Sequence, residues 1–548
     1  MDPASLQILI SRLTGVAEEM GAVLRRSAYS PNIKERADCS AALFTAAGEL
    51  LVQAEHIPVH LGSMPASVAA AIDAVGGEPR PGDEIVVNDP FAGGTHLNDV
   101  TLVSPCFVDK ELVGWVANRA HHADVGGIAP GSMPPNATDI AQEGVRLPPT
   151  RLDDAVVARL VHGSRTPRER AGDLDAQRGA NRLGAERMRL IVDALGSAAP
   201  LAEIVDYGER RMRAALAALP DGAWRFEDVL DSAGPRPAQQ APIRIVVEVS
   251  VRGDEVTFDF TGTDPQRPGN VNAVEAVTVS AVAFALRAVT DPSIPANGGA
   301  LRPVRVIAPA GTVVAAVAPV AVGAGNVEVS QRVADVCLGA LAAALPGAVG
   351  AAGQGTMNNV LLGGDGWVYY ETIGGGQGAR PWADGMSGVH TAMTNTRDTP
   401  VEALERALPL RVRRYALRRG SGGRGAHTGG DGIEREIEVL EPTTASLVTD
   451  RREHAPWGLA GGGPGARGEN WVVRGGADAR PLPGKCTLAL AAGDVLRICT
   501  PGGGGYGPPD GRSDPGADAH DLDPERAPGA VVADDVARAV AEQRLPEG

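Results

Sequence analysis

Asn88-Asp89-Pro90-Phe91-Ala92-Gly93-Gly94-Thr95-His96-Leu97-Asn98-Asp99 and Asn118-Arg119-Ala120-His121-His122-Ala123-Asp124-Val125-Gly126-Gly127 are the stretches that decide how this chain folds around its chemistry. They hold three of its ten histidines, together with three aspartates and four glycines. The residues between them predict a hairpin. Val100 to Val108 and Leu112 to Ala117 have strand composition, and Asp109-Lys110-Glu111 is a tight polar connection. If Val108 pairs with Leu112, Asp99 falls opposite His121, and such cross-strand neighbours lie about 5 Å apart, close enough to share one ion. His96 and Asp99 stand where the first strand begins. Two imidazoles and a carboxylate suit zinc, manganese or iron(II), and Asp38, in the polar run Glu35-Arg36-Ala37-Asp38, is the candidate to close the shell. A second reading stays open, in which these are hydrogen-bonded loop residues capping the hairpin.

Three more residues carry possible acid–base chemistry. His122 and Asp124 flank the ligand candidates, where a free imidazole or carboxylate would relay protons to and from a metal-bound water. Both also fit a supporting role, orienting a ligand imidazole through its other nitrogen. Glu143, in Gln142-Glu143-Gly144-Val145-Arg146, is a further candidate, against an exposed loop glutamate as the alternative.

Around this centre the chain reads as a mixed α/β, α+β, multi-domain protein. Residues 5–27 place Leu6, Leu9, Ile10, Leu13, Val16, Met20, Val23 and Leu24 at helical spacing. A hairpin, 41–44 with 50–54, follows, then a helix from about Met64 and a strand over 83–87. The stretch 130–150 reads as loop and 165–219 as helical. A boundary falls within 221–240, giving an N-terminal metal-site region over 1–236. Strands resume at 243–251 and 255–260, and helices at 277–289 and 329–345. Glycine is dense from 349 to 507, read as short strands between glycine turns at 374–376, 422–423, 461–463 and 502–505, so 237–508 forms a glycine-rich α/β region. An acidic tail, 509–548, ends in a short helix near 534–543.

Composition narrows the function. A net charge of −16 with 3% aromatic residues offers neither clustered cations nor stacking surfaces for nucleic acid. Five scattered cysteines without a CxxC spacing predict no disulfide framework and no thiolate zinc site. No stretch of about 18 strongly apolar residues predicts a membrane span, and Met1-Asp2-Pro3-Ala4-Ser5 has no secretory pattern, so a cytoplasmic enzyme is expected. The Walker pattern is absent: Gly484-Lys485-Cys486 lacks both the upstream glycine and the hydroxyl. Cys39 has no assignable base and reads as a buried small residue rather than a nucleophile.

The ordered set of motifs resembles the hydantoinase B/oxoprolinase family. It runs through Glu35-Arg36-Ala37-Asp38-Cys39-Ser40, His60-Leu61-Gly62-Ser63-Met64, the two stretches above, Gly172-Asp173-Leu174-Asp175-Ala176-Gln177, Asp259-Phe260-Thr261-Gly262-Thr263 and Pro295-Ala296-Asn297-Gly298-Gly299. Thr394-Asn395-Thr396-Arg397, Ser421-Gly422-Gly423 and Thr500-Pro501-Gly502-Gly503-Gly504-Gly505-Tyr506-Gly507 complete it. The resemblance implies the B-type subunit of an ATP-dependent hydrolase of cyclic amides such as hydantoins, 5-oxoproline or lactams. A partner A-type subunit would carry ATP and magnesium and phosphorylate the substrate, making a hetero-oligomer. The metal-assisted step would fall to this chain, with Asp38, His96, Asp99 and His121 as ligands of zinc or manganese. Relatives that carboxylate ketones make a ketone carboxylase subunit the first alternative, and a non-catalytic scaffold for the ATPase the second.

Overall fold

The computed structural model describes residues 1–509 apart from 55, 56, 61, 77 and 477. The tail read over 509–548, with its short helix, lies outside the described residues from 510 onward. The first helix spans Pro3–Ser27; Asp2 accepts from the Ala4 and Ser5 amides, proline occupies the first turn, and Arg25 and Arg26 sit at the negative end of the dipole.

A six-stranded sheet follows, made of β1 (Cys39–Thr45), β2 (Leu50–Ala54), β3 (Ile85–Val87), β4 (Asp99–Val108), β5 (Glu111–His121) and β6 (Thr150–Arg151), in the order β2-β1-β5-β4-β3-β6. One face packs on helices Pro3–Ser27 and Pro167–Leu195. The other covers helix Met64–Ala74. Side chains alternate between these faces along each strand. On β5, Trp115 and Ala117 therefore join the core under helix Met64–Ala74, while Val116 and Ala120 join the core under the two long helices.

The predicted hairpin forms, with one difference at its turn. Val108 pairs with Glu111 and Phe107 with Leu112, so the connection is Asp109-Lys110 alone, with Asp109 in the left-handed region at φ 55°. A bulge between Cys106 and Phe107 absorbs the offset, and Asp99 lands opposite His121.

The stretch 221–240, read as a boundary, begins with β7 (Gly222–Leu230), which pairs with β8 (Ile243–Arg252). With β9 (Glu255–Asp259) and β10 (Val304–Ile307) these form a second sheet, β10-β9-β8-β7, parallel only between β9 and β10. Helix Ser330–Ala344 lies on β7 and β8, and helix Glu275–Val289 packs against it. Their core is continuous with residues from the first 236, among them Val100, Leu102 and Met133. Helix Asp154–Gly163 falls just before the region read as helical.

The remaining strands are β11 (Asn359–Gly364), β12 (Trp367–Thr372), β13 (Leu410–Arg418), β14 (Gly432–Val439), β15 (Thr443–Val448), β16 (Glu469–Val473), β17 (Arg480–Leu482), β18 (Lys485–Leu490) and β19 (Val495–Cys499). They form two further sheets, β12-β11-β15-β18 and β13-β14-β19-β16-β17, whose apolar faces share one core.

The glycine clusters differ from the expectation of turns. Among the four, only Gly461 has a positive φ. The others belong to irregular segments lying directly on one another. Gly430 N donates to Gln377 O at 2.8 Å, Gly503 N to Gly430 O at 2.9 Å, and Gly423 N to Gly503 O at 2.8 Å. A Cβ at Gly430 would stand 1.9 Å from Met386 O, and one at Gly503 2.0 Å from Gln377 O. Glycine is required here by backbone-to-backbone contact rather than by conformation.

Candidate metal centre

Three loops converge at the open end of the β4–β5 hairpin. The first is Asn88–Asn98. Its Asp89 caps the turn Pro90–Ala92, and Asn88 fixes the loop by donating to Leu97 O and Val145 O and accepting from Leu147 N. Gly93, at φ 92°, passes so close to Ala66 O that a Cβ would lie 2.5 Å from it. This path delivers Thr95, His96 and Asp99 to the interior. The second is the end of β5, which delivers His121. The third is a π-helical turn, Gly325–Val329, which delivers Asn326; such turns concentrate at functional sites.

Asp99 Oδ1 lies 3.1 Å from His96 Nε2 and 3.2 Å from His121 Nδ1, and the two nitrogens are 3.2 Å apart. All three side chains are buried. The triangle fits a metal. With ligand bonds of about 2.0–2.2 Å, neighbouring ligand atoms are separated by about 3.0 Å in an octahedron and about 3.4 Å in a tetrahedron. The donor set agrees. Asp99 Oδ1 has no hydrogen-bond partner, while Oδ2 is held by Thr95 Oγ1 at 2.6 Å and Asn326 Nδ2 at 3.3 Å. His96 Nδ1 faces Gly323 O at 3.3 Å, which leaves Nε2 its lone pair. Burial opposes charge on all three. The Asp99 carboxylate nonetheless raises the pKa of His96, His96 and the other imidazoles hold Asp99 well below the carboxylate range, and burial keeps that of His121 low.

Asp38 lines the same small cavity, of about 20 Å³, with His60, Asp99, His121, Asn326 and Tyr370. Its backbone carbonyl accepts from His121 N at 3.0 Å, and its carboxylate acts on His121 and His96 electrostatically. It is not part of the three-residue ligand cluster.

The other sequence candidates stand elsewhere. His122 lies one residue beyond His121 and so faces the opposite side of the sheet, where its Nε2 meets Gln177 Oε1 at 2.9 Å on helix Pro167–Leu195. Burial pushes its pKa down to about 4. Asp124 receives the amides of Gly126, Gly131 and Arg165, the Ser164 hydroxyl and the Arg165 guanidinium. That carboxylate is a structural staple with its lone pairs engaged. Glu143 is buried, not exposed; its oxygens accept from Val322 N and Gly323 N at 3.1 and 2.8 Å. Burial pushes its pKa up to about 8. Glu143 thus touches the cluster only through Gly323, whose carbonyl faces His96.

Four features escaped the sequence reading. His60 Nε2 stands 3.5 Å from Asp99 Oδ2, with Ser40 Oγ on its other nitrogen at 2.9 Å. Asn326 Nδ2 lies 3.1 Å from His96 Nε2. Tyr370 stacks on His121, ring centroids 4.8 Å apart. Thr372, Thr394 and Thr396 complete the cavity wall. Only His60 and the threonines of Thr394-Asn395-Thr396-Arg397 had a signal, through the family motifs. Cys39 is buried and its thiol is pushed up to about 12, consistent with a packing role, and all five cysteines are free.

Known proteins resemble this chain along nearly its whole length. The family Hydantoinase B/oxoprolinase matches residues 2–509. A putative D-/L-hydantoinase component of the B type, from Pseudomonas sp., is 33% identical over 93% of this chain and 90% of its own. The 5-oxoprolinase 1 of Arabidopsis thaliana is 38% identical over 92% of this chain, which spans only 42% of that longer protein. The crystal structure of the ATP-dependent caprolactamase from Pseudomonas jessenii superposes with a TM-score of 0.87 at 28% identity, covering 93% of this chain and 91% of the other.

Proposed function

This chain belongs to the hydantoinase B/oxoprolinase family, and from that premise we propose that it is the B-type subunit of an ATP-dependent hydrolase that opens cyclic amides of the hydantoin, 5-oxoproline or lactam type. The observation that carries the reading is the triangle of Asp99 Oδ1, His96 Nε2 and His121 Nδ1, with sides of 3.1 to 3.2 Å, in a family whose relatives are named for such ring-opening reactions.

Asp99, His96 and His121 would hold a divalent ion, zinc or manganese, with Asp38 to complete the set. Bound there, the ion supplies Lewis acidity and lowers the pKa of a water toward neutrality. Thr95 and Asn326 hold Asp99 Oδ2, which leaves Oδ1 toward His96 Nε2 and His121 Nδ1, and Gly323 fixes the His96 tautomer. Glu143 acts as a positioning residue by clamping the Val322–Gly323 amides. His122 and Asp124 support the fold around the site.

Amide resonance makes a lactam carbonyl a poor electrophile, so the substrate requires activation, and an A-type ATP-binding partner provides it by phosphorylation. Two observations support a partner. The glycine-rich segments here are spent on backbone packing, and the Lys485 ammonium is bound to Asp450 at 2.8 Å. The Pseudomonas relative, named as one component of a hydantoinase, aligns along 90% of its length.

The test is a substrate panel of hydantoin, 5-oxoproline and caprolactam with ATP, run on the chain coexpressed with its A-type subunit, with and without bicarbonate. Substrate-dependent ATP hydrolysis with ring opening is expected. Turnover that requires bicarbonate points instead to a carboxylase, and full activity after Asp99→Ala points to a scaffold.

A further inference from the structure

The cavity beside the metal triangle has a second wall of different chemistry. Thr372, Thr394 and Thr396 line it, and Arg36 lies behind them, 1% exposed. Arg36 Nη2 donates to Thr372 Oγ1 at 2.7 Å and to Thr396 Oγ1 at 3.1 Å, and Nη1 donates to Tyr370 O. Its guanidinium sits 5.1 Å from the centroid of the Tyr370 ring. Among the described residues, no carboxylate oxygen lies within 4.0 Å of it. The neighbouring acid Glu371 is already taken by Arg435, through two bonds of 2.7 and 2.8 Å. Asp38 belongs to the proposed metal ligands.

A buried cation without a counter-ion is costly. Here the cost is met by neutral oxygens, the Tyr370 carbonyl and two threonine hydroxyls, and the hydroxyls keep protons to give. Thr372 and Thr396 lie 2.5 Å apart, so one donates to the other. Because Arg36 occupies lone pairs on both, the remaining hydroxyl proton is available either to the His390 ring at 3.3 Å or to the cavity. Thr394 meets the same ring at 3.5 Å. Burial keeps His390 neutral, its pKa pushed down to about 4 against the opposing Asp398 carboxylate, so the charge donated to the threonine hydroxyls is that of Arg36.

We propose that Arg36 and the hydroxyls of Thr372, Thr394 and Thr396 form a subsite for an anionic oxygen of the substrate, belonging to a phosphoryl or a carboxylate group. The inference rests on the metal-dependent reading of the neighbouring triangle. It adds the residues that orient the substrate, with the hydroxyls donating to the anion and Arg36 neutralising it in a water-poor cavity. The volume of about 20 Å³ takes one such oxygen.

The experiment titrates inorganic phosphate and, separately, acetate into the metal-loaded full chain by calorimetry, with metal per chain measured in every preparation. The wild type is expected to bind one of the two. Phosphate alone identifies the phosphoryl source, and acetate alone the carboxylate source. In a Thr372→Val, Thr396→Val double variant, affinity for that anion is expected to fall tenfold or more while metal per chain stays unchanged. Thr394→Val, a single isosteric change, is expected to lose about threefold, at the low end of one hydrogen bond, and stands in if the double variant does not fold. Binding of neither anion by the wild type, or affinities unchanged in the variants, would overturn the subsite. A wild type that takes up no metal overturns the metal reading instead, and the same titrations on that metal-free chain then decide the subsite by themselves.

Discussion

His121 stands opposite Asp99 in the β4–β5 ladder, with its Nδ1 3.2 Å from Asp99 Oδ1. Everything proposed for the site depends on that pairing. An Asp99→Asn substitution keeps the shape and removes the charge. Metal per chain is expected to fall from near one to near zero in elemental analysis. The metal-dependent rise in melting temperature should vanish with it, because an ion that binds only the folded state stabilises by RT ln(1 + [L]/Kd).

His121→Ala and His122→Ala are expected to diverge although the residues are adjacent. His121→Ala should abolish metal uptake. His122→Ala should leave metal content intact and lower stability by about 2–3 kcal/mol, from the cavity and the stranded Gln177 Oε1. Denaturant melts and metal analysis on both variants check this. Metal loss in His122→Ala would place that ring at the centre after all.

Glu143 gives the site a pH signature. Its pKa in the fold is pushed up to about 8 from an ordinary 4.5, by burial that its two amide donors only partly offset. A group raised in this way contributes stability that is fully present below about pH 4.5 and is lost as pH rises through about 8. Between those limits the wild type should lose stability with rising pH relative to Glu143→Gln, which cannot ionise. The variant should also bind metal about 10–100-fold more weakly, through the loosened Gly323 contact to His96. Melts from pH 5 to 8 and metal titrations read the two effects separately.

The sequence made the hairpin legible because its signal is local: alternating strands, a polar turn and ligand-type residues at the ends. It carried Asp99 to His121 even though the turn is one residue shorter than expected, since the bulge between Cys106 and Phe107 compensated. Parity along β5 was equally available and would have turned His122 away from the site. Asn326, Tyr370 and Thr372 were not legible, because they reach the cavity from positions more than 200 residues distant in the chain, on elements with no motif of their own. The strand Gly222–Leu230 was hidden by the charged and aromatic residues of a half-exposed edge.

The glycine-rich half was legible as β-containing but not in the purpose of its glycines, and substitution separates the two accounts. A turn glycine with negative φ tolerates alanine; a glycine held against another backbone does not. Gly430→Ala and Gly503→Ala would drive a methyl to within about 2 Å of a carbonyl oxygen that is itself held by a backbone hydrogen bond, Met386 O by Gln377 N and Gln377 O by Gly430 N. Each is expected to cost more than about 3 kcal/mol, at the severe end for a single overpacking change. Gly179, in the middle of helix Pro167–Leu195 with nothing within 4 Å of where a methyl would sit, is the control, and Gly179→Ala should stabilise by about 0.5–1 kcal/mol. Chemical denaturation of the three variants checks the ordering. A near-neutral Gly503→Ala would restore the turn reading of 502–505, and a near-neutral Gly430→Ala would remove the backbone contact from the account.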